Sequence, residues 1–105
     1  MEYLTECNLN EKLLKELPDR GIFSKTLMKN EHTSVVLMQL AAGEDLNEHT
    51  SKYAVLLQVL DGKGILELGD RKLDLKPGEL VYMDPNAPHS VLAIENLNFV
   101  LYLLK

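Results

Sequence analysis

The sequence predicts one all-β domain, an antiparallel sandwich or barrel, and three observations support this. Short segments rich in Val, Leu, Ile and Tyr follow one another from residue 22 to the end of the chain. Turn-forming pairs such as Gly69-Asp70 and Pro77-Gly78 separate several of these segments. The 105 residues are 46% hydrophobic, which suits one buried core and is too apolar for a disordered chain.

The first 21 residues are predicted to form an extension with one short helix. Asn8 or Asn10 can cap the helix, which is expected to run to Leu17 because Pro18 prevents its continuation. The leucines that fall on one side of this helix are Leu9, Leu13, Leu14 and Leu17. We therefore expect a single domain over residues 1–105, with the extension at 1–21 and the barrel at 22–105.

Eight strands are predicted in the barrel. They cover residues 23–28, 33–41, 53–60, 65–68, 71–75, 79–83, 90–94 and 98–104. Segments 53–60 and 98–104 are apolar on both alternating faces, so one face fills the barrel and the other needs a cover. Because an uncovered face would be a large apolar patch, either the N-terminal segment or a second subunit is expected to cover it, and we predict a homodimer.

Composition excludes several classes of function. The net charge is −5 and no basic cluster is present, so nucleic acid is not an expected partner. No apolar run approaches the length of a membrane span, and the first residues are acidic where a signal peptide would be basic. Cys7 is the only cysteine, which excludes an intrachain disulfide and favours a small packing role. We expect a cytoplasmic protein.

Two spaced stretches resemble the two motifs of the cupin superfamily. The first motif is G-x5-H-x-H-x3,4-E-x6-G, and Gly43, His49 and Gly62 fit it in register. Ser51 stands where the family has its second histidine. Val55 stands where the family has its glutamate. Two of the four usual metal ligands are therefore replaced.

The second stretch resembles the motif G-x5-P-x-G-x2-H-x3-N. Gly78 and His89 fit this motif. Asp84 occupies the proline position and Ala93 the final asparagine position. Asn86 occupies the glycine position, where asparagine tolerates a left-handed backbone nearly as well.

The resemblance implies a cupin double-stranded β-helix, a jelly-roll barrel, preceded by the short N-terminal helix. The chain is most similar to small single-domain bacterial cupins with a reduced metal-binding motif, which generally have no assigned reaction. The resemblance therefore implies a fold and a pocket for a small-molecule ligand, and little chemistry.

Strand alternation predicts which side chains line that pocket. Residues two apart share a face, so the side chains below point into one interior if no bulge intervenes. They are His49, Ser51, Tyr53 and Val55 on one strand, and His89, Val91 and Ala93 on another. A mostly apolar lining with a few placed polar groups is typical of small-molecule sites.

His49 and His89 are the candidate metal ligands. Imidazole suits transition metals, and Zn, Ni, Fe or Mn are the candidates. A catalytic site normally offers three protein ligands, whereas Val55 cannot coordinate and a serine hydroxyl is a poor ligand. Glu48 is expected on the opposite face, and Asp45 in a predicted loop remains open as a third ligand. Two histidines alone would hold such a metal weakly or not at all.

Two functions remain open at this point. One is a binding module that orients a small ligand with His49, Ser51 and His89. The other is a metal-dependent enzyme of the isomerase or dioxygenase type that uses His49 and His89. Each histidine can also serve only to hydrogen-bond a backbone carbonyl.

One pentapeptide occurs twice. Asn30-Glu31-His32-Thr33-Ser34 recurs as Asn47-Glu48-His49-Thr50-Ser51. A duplicated function would make His32 an extra ligand. We favour coincidence, because the residues outside the two copies do not match.

Overall fold

A computed structural model describes residues 4–13 and 16–105, and it confirms the all-β prediction. One short helix precedes nine strands in this part of the chain. The elements are α1 Leu9–Lys12, β1 Ile22–Lys29, β2 Thr33–Leu40, β3 Asp45–His49, β4 Ala54–Asp61, β5 Gly64–Leu68, β6 Arg71–Leu75, β7 Leu80–Met83, β8 His89–Ala93 and β9 Leu97–Leu104.

The strands form two antiparallel sheets, which together make the double-stranded β-helix of a jelly-roll barrel. The five-stranded sheet has the order β1-β2-β9-β4-β7, and the four-stranded sheet has the order β3-β8-β5-β6. Strands far apart in the sequence are neighbours in both sheets, so residues from the two motif-like stretches can meet.

The core lies between the sheets and contains the inward-facing side chains of both. Alternation along each strand sends every second residue inward, which is why apolar residues at that spacing are buried. The buried cluster consists of Met38, Leu40, Val55, Leu57, Val59, Leu66, Leu75, Met83, Val91, Ala93, Leu97 and Phe99.

Two elements differ from the sequence predictions. The helix ends at Lys12, where Leu13 already has an extended backbone, so it is shorter than expected and its predicted end at Leu17 is wrong. Leu14, one of the leucines expected on its apolar side, lies outside the described residues. The segment predicted as an acidic loop contains strand β3. Most of its side chains are exposed, as in a loop, but its backbone pairs with β8.

The outer face of the five-stranded sheet is only partly covered. Val100 and Leu37 face outward by alternation and are buried. Leu60, Asp61 and Asn98 of the sheet line a cavity of about 560 Å³ together with residues of the N-terminal segment, which are the half-buried Cys7 and Asn8, Leu9, Asn10 and Leu13. On the edge strand β7, by contrast, Leu80 is 61% exposed and Tyr82 is 55% exposed. No helix in the described residues has the length and hydropathy needed to cross a bilayer.

Gly62 and Gly78 occupy turns that require positive φ, as the strand boundaries predicted. Their φ angles are +93° and +91°. A β-carbon at Gly62 would also collide with the backbone carbonyl of Asn96, whereas the space beside Gly78 is open. Gly62 is therefore fixed by close packing as well as by backbone conformation.

Candidate functional site

The structure brings His49 and His89 together. His49 ends β3, His89 begins β8, and the two are directly opposite each other in the ladder. Their ring centroids lie 4.2 Å apart with the planes at 62°, an edge-to-face arrangement. Two imidazoles that are far apart in the sequence are therefore in contact in the fold. We call them the histidine pair.

A bulge in β3 turns His49 toward its partner. Leu46 opposes Val91 and His49 opposes His89, so β3 advances three residues while β8 advances two. Regular alternation from Leu46, which packs against the core, would have placed Glu48 on the inner face. The extra residue restores His49 to that face, a common use of bulges beside functional sites.

Backbone carbonyls fix the proton position on both rings. His49 Nδ1 lies 2.8 Å from the carbonyl oxygen of Asn47, and His89 Nδ1 lies 2.9 Å from that of Ala87. A carbonyl oxygen only accepts hydrogen bonds, so each Nδ1 carries the proton and donates it. A neutral ring in this tautomer presents Nε2 as a bare acceptor, and neither Nε2 has a hydrogen-bond partner among the described residues.

The two rings differ in exposure. His89 is buried, with 6% of its surface exposed, whereas His49 is an exposed residue. Burial lowers the pKa of His89; the hydrogen bond to the Ala87 carbonyl raises it, and the nearby charge of His49 lowers it. The pKa of His89 therefore lies below 6.5, and the neutral ring predominates at pH 7.

Ser51 and Tyr53 lie in the loop 50–53 between β3 and β4, so the uninterrupted strand assumed from alternation ends at His49. The Ser51 hydroxyl accepts the Tyr53 backbone N–H at 3.1 Å. The Ser51 carbonyl accepts the N–H of Asn86 at 2.7 Å, which ties the loop to the turn between β7 and β8. Asn86 has φ +67°, the left-handed conformation expected at its motif position.

Val55, Val91 and Ala93 are part of the buried core. Val55 belongs to the five-stranded sheet and Val91 to the four-stranded sheet, so they contribute to the packing between the layers. Ala93 stands four residues along β8 from His89, roughly 13 Å away at the usual rise of a strand. The imidazoles and the loop 50–53 therefore form one end of the barrel, with these apolar residues packed in the interior.

The residues present do not fit a catalytic metal centre. Such centres use three protein ligands, and the described residues include no cluster of three or more His, Cys, Asp or Glu side chains able to hold a metal. Val55 offers no donor atom, and the Ser51 hydroxyl already accepts the Tyr53 N–H. The histidine pair supplies two ligands.

Sequence reasoning missed the two residues that position the rings, Asn47 and Ala87. Both act through the backbone carbonyl, which leaves no side-chain signature. The available signal is spacing, because each carbonyl lies two residues before its histidine at a strand end or a turn.

Comparisons with known proteins agree with this architecture. A family model described as "Cupin domain" matches residues 36–104. A Cupin 2 conserved barrel domain protein from Leptotrichia buccalis is 31% identical with a TM-score of 0.83, and the match covers 94% of this chain and 47% of that one. No protein of curated function matches the sequence.

Two other solved structures share the fold at lower identity. A conserved protein of unknown function from Streptococcus pyogenes is 18% identical with a TM-score of 0.84, over 100% of this chain and 90% of that one. A cupin superfamily protein from Desulfitobacterium hafniense is 20% identical with a TM-score of 0.81, over 85% and 82%. Because the family match covers both histidines and strands of both sheets, the chain belongs to the cupin superfamily.

Proposed function

We propose that this small cupin binds a small molecule at the end of the barrel where the histidine pair lies. His49 and His89 orient the ligand, and Ser51 and Tyr53 flank it on the neighbouring loop. One observation carries the proposal: two adjacent rings are held by their Nδ1 atoms, and neither Nε2 atom has a hydrogen-bond partner within residues 4–13 and 16–105. Among the described residues no buried side-chain nitrogen or oxygen lacks a hydrogen-bond partner, so the Nε2 of His89 reaches solvent, where a ligand can contact it.

The same arrangement supports only weak metal binding. A Zn, Ni, Fe or Mn ion would bind two imidazoles and complete its coordination with water, because the described part of the chain places no carboxylate or thiol in a cluster with them. We therefore propose that such a metal is weakly held or absent and that the protein does not depend on it.

The test uses protein purified without a chelating resin. Metal content is measured by mass spectrometry, and a library of uncharged, cationic and anionic metabolites is screened by thermal shift. A ligand that binds the folded state raises the melting temperature with concentration. We expect substoichiometric metal. We also expect at least one ligand that raises the melting temperature of wild type and of His32→Ala but not that of His89→Gln.

A metal-dependent enzyme of the isomerase or dioxygenase type is the competing function. It is favoured by the backbone hydrogen bonds at both Nδ1 atoms, because metal-ligating histidines are commonly oriented in this way. Stoichiometric metal that is lost on His89→Ala would support the enzyme and contradict the binding module.

We also propose a homodimer formed through the exposed part of the five-stranded sheet. β7 is an edge strand that exposes Leu80 and Tyr82. The cross-strand row that begins at Tyr82 continues through Leu56 and Tyr102 without a charged side chain. Analytical ultracentrifugation is expected to detect a dimer that Tyr82→Glu dissociates. Ile94→Glu, an equally exposed site next to the other sheet, is expected to leave the dimer intact.

A further inference from the structure

We infer that the histidine pair is a two-acceptor site, which recognises a ligand group carrying two adjacent hydrogen-bond donors and discriminates against anions. Vicinal hydroxyls and a guanidinium group both have this chemistry. The inference rests on the proposed function and names the kind of ligand that fits it.

Two backbone carbonyls determine which nitrogen of each ring carries the proton. Asn47 and Ala87 each direct a carbonyl oxygen at a ring Nδ1, and a carbonyl cannot donate. Both rings must therefore carry their proton on Nδ1. In the neutral rings the two Nε2 atoms are acceptors only.

The two rings of the histidine pair also lie close together. The ring centroids are 4.2 Å apart, so both acceptors belong to one small area at the end of β3 and β8. In the proposed mode of binding, a single group with two polarised N–H or O–H donors contacts both Nε2 atoms. A carboxylate or phosphate would instead place its lone pairs against those of the imidazoles.

The histidine pair differs from a metal centre in the number of ligands that it offers. A cation could also use the two lone pairs, but the described residues offer no third metal-ligating side chain in a cluster with them. An organic donor group needs no third ligand, because two hydrogen bonds already fix its orientation. The donor set therefore suits an uncharged or cationic organic ligand better than a resident metal.

The first experiment reads the tautomers directly. In ¹⁵N-labelled protein at pH 8, long-range proton–nitrogen spectra should show a protonated Nδ1 and a bare Nε2 for both His49 and His89. His32 is an internal control with the opposite expectation, because its Nε2 lies 3.3 Å from Glu31 Oε1. A proton on Nε2 of His49 or of His89 would overturn the inference.

The second experiment titrates the same sample with methylguanidinium chloride, cis-1,2-cyclopentanediol, sodium acetate and sodium phosphate. The Nε2 resonances of the pair should respond to at least one donor probe more strongly than to either anion. A stronger response to an anion, or no response to both donor probes at high concentration, would refute a two-acceptor site. A response to guanidinium alone would assign a cationic ligand, and a response to the diol alone a hydroxylated one.

Substitutions at His49 complete the test, because this exposed residue can change without emptying the core. His49→Ala removes one acceptor and should weaken the binding of the responding probe about fivefold, the effect of one lost hydrogen bond. His49→Gln keeps an acceptor oxygen and should recover part of that loss, whereas His32→Ala should leave binding unchanged. Equal affinity in His49→Ala and wild type would overturn the inference.

Different experimental results would disprove the two-acceptor site and the proposed function. An anion that binds the pair would disprove the two-acceptor site and leave a small-molecule binding protein. Stoichiometric metal, read by mass spectrometry, would disprove both.

Discussion

The same five residues, Asn-Glu-His-Thr-Ser, fold in two different ways in this molecule. In the first copy, Asn30 forms the turn between β1 and β2, and its side-chain oxygen accepts the N–H groups of His32 and Thr33, both at 2.9 Å. His32 is 79% exposed at its side chain, and its Nε2 lies beside Glu31. This copy is a turn, and its histidine belongs to the surface.

The second copy reverses these roles. The side chain of Asn47 has no partner among the described residues, while its backbone carbonyl accepts the proton of His49 Nδ1. The ring of His49 packs edge-to-face against His89. Here the asparagine acts through its backbone and the histidine through its side chain.

The structural role of this pentapeptide depends on the strand with which each copy pairs. The first copy connects two neighbouring strands and needs a turn. The second ends β3, where the bulge against β8 directs its histidine at His89. His32 is therefore not an additional member of the histidine pair, and the repeat is no duplicated site.

The largest predicted contrast is between His89→Ala and His32→Ala. His89 is buried, and removing its ring leaves a cavity next to His49, so the free energy of unfolding should fall by about 2 kcal/mol. His32→Ala removes an exposed side chain and should change that free energy by less than about 0.5 kcal/mol. Urea unfolding measures both, and equal effects would refute the contrast between the copies.

A second contrast compares the two asparagines. Asn30→Ala removes the acceptor of two backbone N–H groups and should lower the free energy of unfolding by about 1 kcal/mol. Asn47→Ala removes a side chain without a partner among the described residues, so the change should stay within about 0.5 kcal/mol. Urea unfolding of the two variants in one buffer measures the difference. A larger loss in Asn47→Ala would mean that the second copy is also held by its side chain.

The fold could be predicted because its signals are local. Alternating apolar residues and turn-forming pairs mark the strands, and Gly62 and Gly78 adopt the positive φ that their turns need. Strand β3 escaped prediction because its stability comes from backbone pairing with β8, while four of its five side chains are exposed. A polar edge strand and a solvated loop have the same composition.

The candidate site was predictable in part. His49 and His89 were identified by their positions in the two motif-like stretches, and they do meet. Alternation could not distinguish an interior side chain at the site from one packed in the core, which is why Val55 and Ala93 were grouped with the histidines. The bulge and the loop 50–53 depend on tertiary pairing, which residue parity cannot reveal.

A third prediction concerns pH, because only the second copy has a histidine in contact with a buried ring. The folded pKa of His89 is lowered from 6.5 by burial, so between that lowered value and about 6.5 the unfolded chain binds a proton that the folded chain does not. His89 therefore contributes stability above about pH 6.5 that is lost as the pH falls through its folded pKa.

Urea unfolding of wild type and His89→Gln from pH 8 to pH 5 measures this dependence. Wild type should lose more stability than the variant over that range, whereas His32→Ala should keep the wild-type dependence. If wild type and His89→Gln lost stability in parallel, the ring would not be a buried neutral imidazole.

The smallest predicted effect on stability is that of His49→Ala, and it separates structure from recognition. The ring is exposed, and its removal costs one hydrogen bond to the Asn47 carbonyl and one edge-to-face contact, so the free energy of unfolding should fall by about 1 kcal/mol or less. Ligand binding at the pair should nevertheless weaken, because one of its two acceptors is gone, whereas His32→Ala should change neither quantity. If His49→Ala destabilised the fold as much as His89→Ala and left binding intact, the second pentapeptide would be a structural element like the first.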